Sequence, residues 1–228
     1  MSTKAEPSTE RRIPLNRERV LHAAVDLADK GGIEAVSMRK VGQELGVEAM
    51  SLYNHVANKE DLLDGMVDVI VSEIDTSDDG SDWRSALRHR ILSARSAMRR
   101  HPWAMSVIET RTTMSQPMIS YMDDMLGIVV NGGMSYDLAH HAMHALGSRM
   151  LGFTQELFRD TDAVEESPEV AAIMAREMAE AYPNISTMLE HISHDEDSIL
   201  GAGCDDDVEF AFGLDLILDG LERMRTAG

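Results

Sequence analysis

The twelve residues Glu48-Ala-Met-Ser-Leu-Tyr-Asn-His-Val-Ala-Asn-Lys59 crowd several nucleic-acid-reading side chains into a short span. Ser51 and Tyr53 carry hydroxyls that donate to phosphate oxygens, and Asn54 can pair with a base edge. Ala49 and Met50 are apolar contacts for a thymine methyl. Lys59 opens a further helix, where a cation and unpaired backbone amides together clamp a phosphate. This chemistry is recognition, not bond making. The chain has no glycine-rich phosphate loop, no nucleophile elbow and no paired-cysteine motif, so an enzymatic reading has no residues to carry it.

For such side chains to act together they need short helices at a fixed angle. Asn16 is a good N-cap for a first helix with Val20, Ala24, Leu27 and Ala28 on one face, ending at Gly31-Gly32. Ser37 caps a second helix with Met38, Val41 and Leu45 spaced by three and four, and Gly46 supplies a left-handed exit. A third helix is expected from about Glu48 to Val56, burying Leu52 and Val56 and turning Ser51, Tyr53, Asn54 and His55 outward. Gly42 is small enough for the second and third helices to cross closely, which makes the pair a helix-turn-helix whose second member enters the major groove. Asn58 then caps a fourth helix with an inward stripe of Leu63, Val67, Ile70 and Ile74.

The run from Ser37 to Asp64 resembles the TetR family of repressors through its Leu-Gly-Val, Leu-Tyr-x-His-Val and Asn-Lys-x-x-Leu-Leu elements. By that resemblance the DNA contacts fall on Arg39, Ala49, Met50, Ser51, Tyr53, Asn54, His55 and Lys59. The likeness extends to the second half. The segment from Phe210 to Leu221 resembles the last helix of the tetracycline-repressor subgroup, while Thr110-Arg111 and the stretch from Gly147 to Glu156 resemble its ligand-facing segments. In that subgroup a chelated magnesium ion holds the drug with histidines nearby. The matching positions here are Val107 and Ser148, neither of which replaces an imidazole, so a magnesium-tetracycline chelate is not the expected effector.

Further helices are expected near 82–100, 103–111, 116–131, 136–159, 168–181, 184–192 and 205–225, punctuated by Pro102, Pro117, Asn131-Gly-Gly133, Pro168 and Pro183. The expected fold is therefore all-α: a flexible arm over 1–12, a helix-turn-helix domain over 13–75, and a larger ligand-binding and dimerisation domain over 82–228. Candidate effector contacts are Trp103, Val107, Met114, Met118, Met122, Met125, Ser148 and Phe153, with Thr110, Arg111 and Glu156 as polar anchors. Met98 and Met105 stand beside them. Seventeen methionines suit an adaptable cavity for an apolar or amphipathic molecule, although Met118, Met122 and Met125 at helical spacing equally suit plain core.

A net charge of −19 argues against a polyanion partner only on average. Residues 1–65 hold nine Lys/Arg and eleven Asp/Glu, a net −2, which leaves −17 for the remainder. Aromatics at 4% argue against a strand-rich fold. The single cysteine, Cys204, forms no internal disulfide, and the absence of a leader or a long apolar run points to a cytoplasmic chain that does not span a membrane.

His140, His141 and His144 share a helix, but no Glu, Asp or Cys at matching spacing completes a metal site, and neither metal nor cofactor is expected. Asp205-Asp-Asp207 opens a helix and stabilises its dipole without further role. One recognition helix reads too few base pairs, so a homodimer is expected. Leu157, Phe158, Leu214, Ile217 and Leu221 are the apolar residues in excess of one subunit's core. The alternative to a regulator is a ligand-sequestering helical protein without operator function.

Overall fold

The computed structural model describes residues 14–77, 80, 82–152, 168–192 and 206–227, which form eleven α-helices and one 3-10 turn with no strand among them. The expected arm over 1–12 lies outside the described residues, as do Phe153, Glu156, Leu157 and Phe158. The chain divides into two compact units, one running to Met134 and the other starting at Ser135.

The first unit opens with α1 (Arg17–Gly31), α2 (Met38–Leu45), α3 (Ala49–Leu52) and α4 (Lys59–Ser72). Each start is fixed locally: the Asn16 side chain accepts from the Arg19 amide, Ser37 from the Lys40 amide and Asn58 from the Asp61 amide. Gly46, at φ +66°, ends α2 in the left-handed region that an L side chain avoids. Val20, Ala24, Val41, Leu52, Leu62, Met66 and Ile70 lose essentially all contact with solvent and form the core of this head. A Cβ on Gly65 would sit 2.5 Å from the Leu21 methyl, so glycine permits the close approach of α4 to α1.

Two departures from the sequence pattern are local. Ile33–Ala35 form a 3-10 turn between α1 and α2. The third helix closes after Leu52 rather than reaching Val56, because the Asn54 and His55 amides bond three residues back, to Ser51 and Leu52, and tighten the final turn. Leu27, Met38 and Leu45, expected on inner faces, are only half-buried.

The unit continues with α5 (Trp83–Arg100), α6 (Ala104–Glu109) and α7 (Gln116–Asn131). α4 packs against all three, so it is shared between the head and these later helices. Asp82 caps α5 through the Arg84 and Ser85 amides, and Ser115 caps α7 through that of Met118, with Pro117 in the first turn where its missing N–H is harmless. The compact units therefore part well beyond the polar stretch after α4 that the sequence offers as a functional boundary.

The second unit contains α8 (Tyr136–Gly152), α9 (Pro168–Ala181), α10 (Pro183–Ile192) and α11 (Asp206–Ala227). α8 packs on α11 and α9 on α10. Arg149 crosses from α8 to α11: its Nη2 donates to the Glu209 carbonyl at 2.7 Å and its guanidinium lies 5.1 Å from the Phe210 ring centre. A Cβ on Gly213 would come within 2.7 Å of that guanidinium, so this glycine makes room for Arg149. Leu214, Leu218 and Leu221 are buried inside the unit, whereas Val208, Phe212, Leu216 and Met224 form an exposed stripe along α11. The apolar excess of this helix thus lies mostly on a different face from Leu214, Ile217 and Leu221.

Candidate nucleic-acid interface and sensor face

α2 and α3 meet at a turn that only glycine allows. A Cβ on Gly42 would lie 2.9 Å from the Val47 carbonyl and 3.2 Å from the Ala49 amide, so a larger side chain would push α3 off α2. Leu52 and Val56 anchor the inner side of α3 in the core. The candidate recognition residues remain outside. Met50 is 75% and Tyr53 46% exposed; Arg39, Asn54 and Lys59 are exposed, and Ala49, Ser51 and His55 are half-buried at the margin. All eight residues expected from sequence therefore lie on the α2 to α4 segment of the head, none of them buried.

The position of α3 is held from behind by a residue the motif does not reveal. Arg17, the first residue of α1, donates from Nη1 to the His55 carbonyl at 3.0 Å and from Nη2 to Asp61 Oδ1 at 2.7 Å. Asp61 Oδ2 also accepts from the Ala57 amide at 2.7 Å. The bond from Arg17 is the main reason the Asp61 carboxyl is held below the usual carboxylate range; burial opposes it weakly and the Ala57 amide assists. Arg17 is correspondingly raised. The available sequence signal is Asn58-x-x-Asp61, which resembles a capping box but does not name the arginine.

The same end of α4 carries Glu60, and a phosphate approaching Lys59 would meet two carboxylates if both were free. Neither is. Arg111 Nη1, in the segment after α6, reaches Glu60 Oε2 at 2.7 Å and Asp64 Oδ1 at 3.1 Å. One turn further, the Ser115 hydroxyl donates to Asp68 in a short bond. Three acids at successive turns of α4 are thereby engaged by residues 111–115. Arg111 Nη2 also donates to Thr110 Oγ1 at 3.1 Å, while its buried Nε has no partner.

The effector candidates divide. Trp103, Val107 and Met125 are buried, Met118 is half-buried, and Met114 and Met122 are exposed. Trp103 is not an open wall, since its indole N–H donates to Asp29 Oδ1 of α1 at 2.6 Å. Thr110 and Arg111, expected as polar anchors, are bonded to each other, and Arg111 to α4 as well. Ser148 is exposed on α8 of the second unit. Sequence reasoning passes over Arg90 and Tyr121. Arg90 is buried, donates from Nη2 to the Thr76 carbonyl at 2.9 Å and lies 3.6 Å from Asp124. The Tyr121 phenol is pushed up to about 12 by burial, with Arg90 opposing, so it stays a neutral donor. A tyrosine and an arginine among methionines give no spacing signal to find them by.

His140 and His144 on α8 stack edge to face with ring centres 4.6 Å apart, and among the described residues no cluster of three or more His, Cys, Asp or Glu is disposed to hold a metal ion. No described helix is long and apolar enough to cross a membrane.

Residues 20–66 match the model of bacterial regulatory proteins of the tetR family, and residues 76–225 match that of the tetracyclin repressor-like C-terminal domain. The chain is 32% identical to the HTH-type transcriptional repressor DrrR1 of Streptomyces coeruleorubidus over 96% of this chain and 82% of that protein. It is 31% identical to the class D tetracycline repressor protein of Escherichia coli, covering 93% and 92% of the two chains. Among solved structures, apo ActR from Streptomyces coelicolor superposes with a TM-score of 0.70 at 22% identity, over 94% of this chain and 98% of that one, a likeness of fold.

Proposed function

The chain belongs to the TetR family of bacterial regulatory proteins with a tetracycline-repressor-like C-terminal domain, and from that premise we propose that it is a cytoplasmic, homodimeric repressor that small-molecule binding releases from operator DNA. The observation that carries this reading is the head: an exposed Met50-Tyr53-Asn54 edge on a helix seated by Gly42, Leu52 and Arg17 beside the α4 N-terminus. That edge enters the major groove, and Arg39 and Lys59 flank it on the backbone. The functional division follows 13–75 for reading and 82–228 for sensing and pairing. The chain carries out no catalysis in this reading.

Pairing is assigned to the exposed Val208, Phe212, Leu216 and Met224 stripe of α11 with the adjoining α8, because four large apolar residues at successive helical turns are stable in water only when covered. Two copies then present two recognition helices roughly 34 Å apart, one turn of duplex. Leu216→Glu is expected to convert the dimer to monomer in sedimentation; a dimer that persists would move the interface elsewhere.

The effector acts only through its different affinity for operator-matching and non-matching spacings of the two heads. Residues 111–115 are the assigned link, since they hold three acids of α4, the helix that starts at Lys59. The effector is apolar or amphipathic, lying near Trp103, Val107, Met118 and Met125. Because Val107 and Ser148 offer no imidazole, magnesium-tetracycline is not expected to displace the operator; micromolar displacement would overturn that exclusion. The regulator reading is tested by selecting bound duplexes from a random pool with the full chain. The expected result is a two-fold symmetric consensus, and an unenriched pool would favour the sequestering alternative.

A further inference from the structure

Where α1, the end of α4 and the start of α6 meet, a histidine has a carboxylate on each ring nitrogen. His101 is 7% exposed. Its Nδ1 lies 2.8 Å from Asp29 Oδ1 on α1, and its Nε2 lies 3.3 Å from Glu73 Oε2 just after α4. The same Asp29 oxygen accepts the Trp103 indole N–H, and the two rings meet edge to face at 6.2 Å. Arg100 closes the far side by donating to Glu73 Oε2 at 2.7 Å.

A neutral imidazole has one N–H and one lone pair, so in this setting it would turn the lone pair toward a carboxylate. The imidazolium donates at both nitrogens and leaves no such conflict. The charged groups facing this ring are Asp29 from α1, Glu73 from the end of α4 and, through Glu73, Arg100 from α5; Trp103 adds a neutral donor. Burial pushes the Glu73 carboxyl up, but the bonds from Arg100 and His101 outweigh it and hold that carboxyl below its usual range, as a cationic neighbourhood requires.

We propose that His101 is a proton-carrying positioning residue: charged, it ties α1 of the head to the end of α4 and to Trp103, and loss of its proton slackens that tie. The helix that holds the back of the recognition segment through Arg17 is thereby fastened at its other end to the first residues of the sensor side. The tie itself is independent of the regulator reading; only its consequence for operator binding rests on it.

The test needs neither DNA nor effector, so its failure is separate from failure of that reading. In the unmodified full chain, ring-nitrogen NMR of His101 is expected to show protons on both nitrogens at neutral pH. In a Trp83→Phe chain, Trp103 is the remaining one of two tryptophans, and its emission is expected to change in a single-proton step between about pH 5 and 10. Adding His101→Gln removes that step. The melting midpoint of His101→Gln lies below that of the unmodified chain by on the order of 4 °C while the ring is charged, and the gap narrows as pH rises through the same step. A neutral tautomer at neutral pH, a step that survives His101→Gln, or a gap that ignores pH would each overturn the proposal. If His101→Gln does not fold, the ring-nitrogen spectrum decides alone.

Discussion

The helices of the head take their boundaries from residues inside or beside themselves, whereas the segment from His101 to Ser115 takes its place from partners 47 to 74 positions away. Asn16, Ser37, Gly46 and Asn58 act within three or four residues, and each does in the structure what its type suggests. Trp103 with Asp29, Arg111 with Glu60 and Asp64, and Ser115 with Asp68 obey no local rule. The lesson is that a reading head can be specified almost residue by residue, while the part that must respond to a ligand is held by exposed or half-exposed polar bonds that can be exchanged. Such bonds are individually weak in water, which suits a joint that has to open.

This contrast can be broken most severely at Leu52. It is fully buried beneath the recognition face, so Leu52→Ala is expected to cost about 2 to 5 kcal/mol of stability, measured by urea denaturation, through lost burial and an unfilled cavity. A cost under about 1 kcal/mol would mean that α3 is not anchored by its inner side. Next in size, Asn58→Ala removes the cap of α4 and is expected to cost about 1 kcal/mol. The comparison sharpens if Arg111→Gln, which touches three groups, costs less stability than this single cap yet alters effector release more.

The smallest effect belongs to the Arg17 and Asp61 pair, whose side chains are 43% and 32% exposed. Solvent screening keeps it below about 1 kcal/mol. Because Asp61 is lowered when folded, the pair contributes above the ordinary carboxylate range, and the contribution is lost as pH falls through the lower folded value. The melting difference between the unmodified chain and Arg17→Gln is therefore expected to be present at neutral pH and to vanish in strong acid. A difference that grows in acid would contradict the assignment.

The sequence is readable wherever period and cap coincide, and it fails where two faces compete. Leu63, Val67, Ile70 and Ile74 of α4 are buried as their spacing indicates. On α11 apolar residues occupy both the Phe210-Leu214-Leu218-Leu221 face and the Val208-Phe212-Leu216 face, and periodicity alone does not say which one α8 covers. The third helix is shorter than its pattern suggests because a tightened last turn uses the same residue types as a regular one. The exposed edge of α3 is legible because apolar and polar groups left outside next to a turn glycine are unusual. Asp29, Glu73 and His101 are not, since a buried polar cluster is made by three distant positions with no common spacing.

The most direct measurement is gel retardation of the selected duplex by the full chain and by Tyr53→Ala, with sedimentation run on both. The account predicts a salt-dependent, sequence-selective shift for the unmodified chain, and loss of that shift for Tyr53→Ala with the dimer intact. Equal retardation by both proteins, or a shift indifferent to duplex sequence, would contradict the claim that the exposed edge of α3 reads DNA.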